Sequence, residues 1–80
     1  MSDRQILDAR RLLCPMPVIR VQERVETMNP GEELEVICTD PGAANDVPAW
    51  CRINGHRVLS VEQGAEELRI VIRVGGGEGS

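Results

Sequence analysis

The sequence predicts an α/β (α+β) two-layer sandwich of order β-α-β-α-β-β, in which one four-stranded mixed sheet carries two helices on one face. Three observations lead there. Short segments of alternating hydrophobicity recur along the chain, and two stretches of helical periodicity, each opened by a proline, separate the first three of them. The third is size: 80 residues with abundant Val, Ile and Leu and a single aromatic side chain, Trp50, make one small aliphatic core. Each β-α-β crossover is expected to be right-handed, which places both helices on the same side of the sheet.

The first strand is Gln5 to Ala9, carrying Ile6 and Leu7 between charged flanks. From Pro15 onward Val18, Val21, Val25 and Met28 recur at helical spacing, while Arg20, Gln22, Glu23, Arg24 and Glu26 fill the opposite face. Asn29-Pro30-Gly31 stops this helix, because the residue before Pro is pushed out of the α region. Leu34, Val36 and Cys38 alternate with Glu35, Ile37 and Thr39 as the second strand. Asp40-Pro41 repeats the pattern of a capping residue before a helix-opening Pro. Ala44, Val47, Cys51 and Asn54 then fall on one side of a second helix that ends near Gly55, with Trp50 and Ile53 adjacent. Pro48 lies inside that pattern, so the helix either bends there or begins late, near Asp46. Arg57 to Gln63, a turn at Gly64-Ala65-Glu66, and a strand with Leu68, Ile70, Ile72 and Val74 inward form a closing hairpin. The open sheet face is expected to carry Glu35, Ile37, Thr39, Arg69, Val71 and Arg73, and residues 75–80 to be a flexible glycine-rich tail after a single domain at 1–74.

Composition excludes several functions. A net charge of −4 and the scarcity of aromatics argue against a phosphate-backbone binder and against a base-stacking platform. The polar residues 1–5 are followed by no apolar targeting segment, and no stretch reaches transmembrane length, so the expected compartment is the cytoplasm. Cys14, Cys38 and Cys51 match neither a disulfide framework nor zinc spacing, and no metal or cofactor is expected. Cys38 and Cys51 read as buried small hydrophobes.

The concentrated chemical signal is Cys14-Pro15-Met16-Pro17. Proline suits the first turn of a helix, so Cys14 is expected at the N-cap, with Pro15 and Pro17 at the first and third helical positions. The positive end of the helix dipole favours thiolate, and lowering a thiol from about 8.5 to about 7 would make it roughly half ionised at neutral pH. Pro15 and Pro17 remove two of the amides that would face the sulfur, leaving chiefly those of Met16 and Val18, so activation is expected to be moderate. Moderation suits a relay, because nucleophilicity falls with pKa. Dithiol exchange needs a second cysteine where Pro17 stands, and a cysteine hydrolase needs a base that His56, read as a turn residue, does not supply. What remains is a lone nucleophile, most simply a carrier that accepts a sulfur atom as a persulfide on Cys14 and passes it on. A non-catalytic regulatory or interaction module, binding through the open sheet face, is the alternative. Arg10, Arg11 and Arg20 raise the potential near the thiol, meet an acidic patch on a partner, or are simply solvated; all three readings stay open. Leu13 is expected in the core and Met16 at the surface.

In this context the chain resembles the TusA, or SirA-like, family of sulfur-carrier proteins. The resemblance runs through Leu7-Asp8-x-Arg10, Leu12-x-Cys14-Pro15-x-Pro17, Asn29-Pro30-Gly31-Glu32, Asp40-Pro41, Asp46-Val47-Pro48 and Cys51. It implies the same β-α-β-α-β-β sandwich and a persulfide on Cys14, loaded by a cysteine desulfurase or another sulfurtransferase and delivered to a downstream acceptor protein. The family's pathways include tRNA thiolation, molybdenum cofactor supply, sulfur oxidation and selenium metabolism. No nucleic acid or membrane is implied as a direct partner, and a monomer is expected. The chain departs from the family pattern at Arg11, where glycine is usual, which alters the loop into Cys14 or adds a charge at the docking surface. The glycines at the other end are expected to form a loose tail rather than a ubiquitin-like thiocarboxylate terminus, since they run into Gly-Glu-Gly-Ser and the strand order is wrong for that fold.

Overall fold

The computed structural model describes residues 4–13 and 15–75. Cys14 and residues 76–80, and with them the expectations for the N-cap thiol and most of the tail, lie outside the described residues. Alternating aliphatic segments form β1 (Gln5–Ala9), β2 (Glu33–Cys38), β3 (Arg57–Gln63) and β4 (Leu68–Arg73), with α1 (Met16–Val25) and α2 (Ala43–Ile53) between the first three. The sheet order is β1-β2-β4-β3. β1 runs parallel to β2, from Gln5 beside Leu34 to Ala9 beside Cys38, and β4 is antiparallel to both β2 and β3. The hairpin therefore inserts β4 between the two strands that α2 connects. The ends of β1 and β2, the start of β4 and the end of β3 all meet at one end of the sheet, where α1 and α2 begin.

The period of two puts one aliphatic face inward. Leu7, Ala9, Leu34, Val36, Cys38, Leu68, Ile70 and Ile72 are buried beneath Val21, Val25, Ala43, Val47 and Cys51 of the helices. Ile6 points the other way, 58 % exposed on the open face. That face is tied by Arg4 to Glu33 and Glu35, by Arg69 to Glu35 and Glu67, and by Arg73 to Glu33. Ile37 is half-buried and Val71 buried among these charged side chains. At β3 the register slips between Val58 and Ser60, a bulge that leaves Leu59 and Val61 exposed at the sheet's edge.

Both helices start differently from the sequence expectation. α1 begins at Met16, with Pro15 at the N-cap position (φ −96°, ψ 16°), so the prolines stand at the N-cap and second positions rather than the first and third. The cause is a turn. Met16 donates its amide to the Leu13 carbonyl at 2.7 Å, and the helical ladder opens only with Ile19 donating to Pro15. Before α2, the Asp40 carboxylate accepts the Gly42 amide at 3.1 Å and its carbonyl accepts that of Ala43 at 3.0 Å. This turn starts the helix early, so Pro48 stands inside it, removing the bond to the Ala44 carbonyl. The buried stripe is Ala43, Val47 and Cys51, one position off the expected phase at its start. Asn54 is exposed and caps the end by donating to the Trp50 carbonyl, and Ile53 is 82 % exposed.

At the other end of the sheet, Gly31 (φ +92°) donates to Val74 and Val74 donates to Glu32, fixing the exit of β4. Gly75 belongs to this fold rather than to a loose tail: its amide donates to His56 Nδ1 at 2.9 Å. His56 stacks on Trp50 at 5.1 Å between ring centroids. A Cβ at position 75 would overlap the Gly55 carbonyl. Gly75→Ala is therefore expected to destabilise the domain by about 1–3 kcal/mol, seen as a lower urea midpoint; an unchanged midpoint would contradict this packing.

Burial holds the His56 pKa below its usual value. The neutral ring accepts the Gly75 amide, so this stability is present above the unfolded value of about 6.5 and is lost as pH falls through the folded one. Urea midpoints are expected to drop between pH 8 and pH 5, with a smaller drop in His56→Gln.

Candidate functional site

The loop from β1 to α1 carries the sequence's chemical signal and is tied down on both sides. Arg10 grips the Asp8 carboxylate through Nε at 2.9 Å and a second guanidinium nitrogen at 3.0 Å, and its own amide donates to the same group at 3.1 Å. Its remaining nitrogen reaches Glu67 in the β3–β4 turn at 3.3 Å. These hydrogen bonds from Arg10 hold the Asp8 carboxyl down at about 2. The Arg11 amide donates to Thr39 Oγ1 at 2.8 Å, fastening the loop to the end of β2. Leu12 packs against the core. Three connections at one end of the sheet are thereby held as a unit.

Arg11 has φ +69°, the only positive φ of a non-glycine residue among the described residues. Glycine would take this conformation without strain, whereas a side chain here costs on the order of 1 kcal/mol. The loop therefore keeps the shape that glycine would permit, and Arg11 adds an exposed charge to it.

Two expectations at the motif reverse. Leu13 is 73 % exposed rather than buried, and Met16 is half-buried rather than exposed. The turn that joins the Met16 amide to Leu13 rolls the first side chain out and the second toward the protein. Pro15 is exposed, and Pro17 is fully buried, seating the start of α1 in the core. Cys14 stands in the chain between exposed Leu13 and exposed Pro15. The Met16 amide, expected to face the thiol, instead donates to the Leu13 carbonyl.

The other candidate groups are elsewhere or inert. Cys38 and Cys51 are buried thiols, both pushed up to about 11 by desolvation, with a smaller contribution from Asp40 at Cys38. His56 precedes β3 at the end of the sheet opposite Ala9 and Cys38, so a strand length of roughly 20 Å separates it from the β1–α1 loop. Its Nδ1 is committed to Gly75. Arg20 lies within α1 and pairs with Glu23 at 3.4 Å rather than reaching the loop. No group of three or more His, Cys, Asp or Glu side chains suited to a metal occurs among the described residues.

An open groove of about 560 Å³ beside the loop is lined by Asp8, Arg10, Arg11, Thr39, Glu66 and Glu67. Thr39 and Glu67 are the supports that sequence reasoning missed. Their signal was register: Ala9 pairs with Cys38 and Cys38 with Leu68, which puts the residues next to those pairs side by side. The arrangement suits a nucleophile offered on a fastened surface loop, with no enclosed pocket at the groove.

Comparison with known proteins agrees with this fold. The family model described as Sulfurtransferase TusA matches residues 5–74. "Putative sulfur carrier protein YrkF" of Bacillus subtilis (strain 168) is 41 % identical over 71 residues, covering 89 % of this chain and 38 % of that protein, so the chain spans well under half of that relative's length. "Putative sulfur carrier protein YrkI" of the same organism is 37 % identical over 75 residues, 94 % of this chain and 100 % of that one. The crystal structure of a SirA-like protein from Desulfitobacterium hafniense shares the fold, with a TM-score of 0.77 at 20 % identity over 88 % of this chain and 96 % of the other. The fastened loop, the C-P-x-P helix start and the two-layer sandwich thus come together in a chain that belongs to the TusA, or SirA-like, family of sulfur carriers.

Proposed function

We propose that Cys14 is the sulfur-bearing nucleophile of a relay. Its thiolate attacks the terminal sulfur of a donor persulfide; the donor's S–S bond breaks, the donor thiolate leaves, and Cys14 carries the sulfur as a persulfide. An acceptor nucleophile then attacks that terminal sulfur and Cys14 leaves as thiolate, with no net oxidation or reduction. The observation that carries this reading is the contrast among the thiols: Cys38 and Cys51 are buried and pushed up to about 11, whereas Cys14 sits in sequence between exposed residues at a helix start.

Pro15, Met16 and Pro17 set the helix start, and Arg10 holds the loop through Asp8 and Glu67. The donor is a cysteine desulfurase or another sulfurtransferase, and the acceptor is a protein of tRNA thiolation, cofactor assembly or sulfur metabolism. The relay acts as one domain, residues 1–74 with Gly75 as its last anchor, in the cytoplasm; no helix among the described residues is long and apolar enough to cross a membrane. The names of the Bacillus subtilis relatives support the carrier role. The interaction-module alternative loses ground because charged side chains on the open sheet face pair with one another.

Incubation with a cysteine desulfurase and cysteine is expected to add one sulfur atom to the intact protein, removable by reductant and absent in Cys14→Ser. Failure to form the adduct with several competent donors would contradict the relay. Native alkylation at pH 8 is expected to modify Cys14 at least about a hundredfold faster than Cys38 or Cys51, which become reactive on unfolding. Equal labelling of all three thiols in the native protein would show that the buried pair is not protected.

A further inference from the structure

Arg10 and Arg11 are neighbours with opposite circumstances. The Arg10 guanidinium is fully engaged by Asp8 and Glu67. The Arg11 guanidinium forms no salt bridge among the described residues, although its backbone is held at φ +69° by the amide bond to Thr39. That anchor uses only the main chain, so any residue could make it, and glycine could make it without strain. A strained conformation kept by a long cationic side chain, which acts on the exposed Asp8 carboxylate only at a distance and forms no salt bridge among the described residues, points to a use outside the fold.

Two residues along, Leu13 is 73 % exposed, and it directly precedes Cys14. An exposed aliphatic side chain and a guanidinium with no salt bridge among the described residues thus flank the nucleophile on its N-terminal side. Together they have the composition of a protein contact, an apolar anchor beside an arginine. A small inorganic anion fits less well. It gains nothing from Leu13, and the groove beside Arg11 also presents Asp8, Glu66 and Glu67, whose charge opposes a free anion.

We propose that Arg11 and Leu13 are specificity-determining residues for the sulfur-exchange partner: Leu13 enters an apolar socket on that protein and Arg11 pairs with a carboxylate at the socket's rim. This rests on the relay reading of Cys14 and adds the chemistry of the surface that recognises the chain. Neither residue takes part in the sulfur transfer itself. The contact governs encounter and affinity, and its charged half is sensitive to salt.

The test uses the full chain, a persulfide-bearing cysteine desulfurase that loads it, and glutathione persulfide as a donor with no socket. Initial rates of Cys14 loading are measured against desulfurase concentration for wild type, Arg11→Gly, Arg11→Lys, Arg11→Glu and Leu13→Ser, at low and high salt. Arg11→Gly and Leu13→Ser are expected to raise the half-saturating desulfurase concentration roughly five- to tenfold, Arg11→Glu more than that, and Arg11→Lys about twofold, with the differences among the Arg11 variants shrinking at high salt. Loading by glutathione persulfide should stay within about twofold of wild type in all four variants, a readout that a disturbed loop would not preserve. The urea midpoint of Arg11→Gly should be no lower than wild type. Unchanged half-saturation in both Arg11→Gly and Arg11→Glu, or equal losses with the two donors, would overturn this inference while leaving the relay intact. Failure of wild type to load from either donor would overturn the relay and this inference with it.

Discussion

The thiol end depends on the burial of two short aliphatic rows, Leu34-Val36-Cys38 of β2 and Leu68-Ile70-Ile72 of β4, beneath α1 and α2. With one aromatic residue in the chain, no large ring is available to fill a misfit, so the helices must lie where small branched side chains meet them. Each fully buried Val, Leu or Ile is worth roughly 1.5–3 kcal/mol, and a register slip of one residue would turn a whole row to solvent. The parallel pairing of β1 with β2 then places Ala9 beside Cys38, and the loop that leaves Ala9 falls within reach of Thr39 and Glu67.

On that frame the loop is fastened by groups near the surface. The Asp8–Arg10–Glu67 connection is exposed and individually weak, but it joins β1 to the hairpin turn while the Arg11 amide joins it to the end of β2. Free amide donors at the helix start are few. Pro15 and Pro17 carry no amide hydrogen, and the Met16 amide is turned back onto Leu13. A carrier benefits from that restraint, because it must attack one sulfur centre and later leave from another, and a strongly stabilised thiolate is a poor attacker.

The strands were legible because Leu34-Val36-Cys38 and Leu68-Ile70-Ile72-Val74 recur at a period of two, with Ile37 and Val71 the only apolar residues of the opposite phase in those stretches. The common side of the helices followed from the handedness of the connections, whereas the order β1-β2-β4-β3 came only with the structure. Details set by single turns were not legible. The Asp40–Gly42 turn starts α2 early enough to enclose Pro48, and the Leu13–Met16 turn exchanges the exposure expected for those two residues. Periodicity carries no information about such a roll at a loop end. Thr39 and Glu67 escaped notice because their partners lie far away in sequence and meet the loop only through register. The left-handed backbone at position 11 was masked by arginine, which gives none of the signal a glycine would.

The relay needs Cys14 to be a moderately activated nucleophile that works without an internal imidazole base. The most direct measurement is the pH dependence of the iodoacetamide reaction rate at Cys14 in the native protein, compared between wild type and His56→Gln. A single inflection between about 7 and 8.5 is expected, at the same pH in both proteins. An inflection below about 5, or one displaced by the His56 substitution, would contradict it.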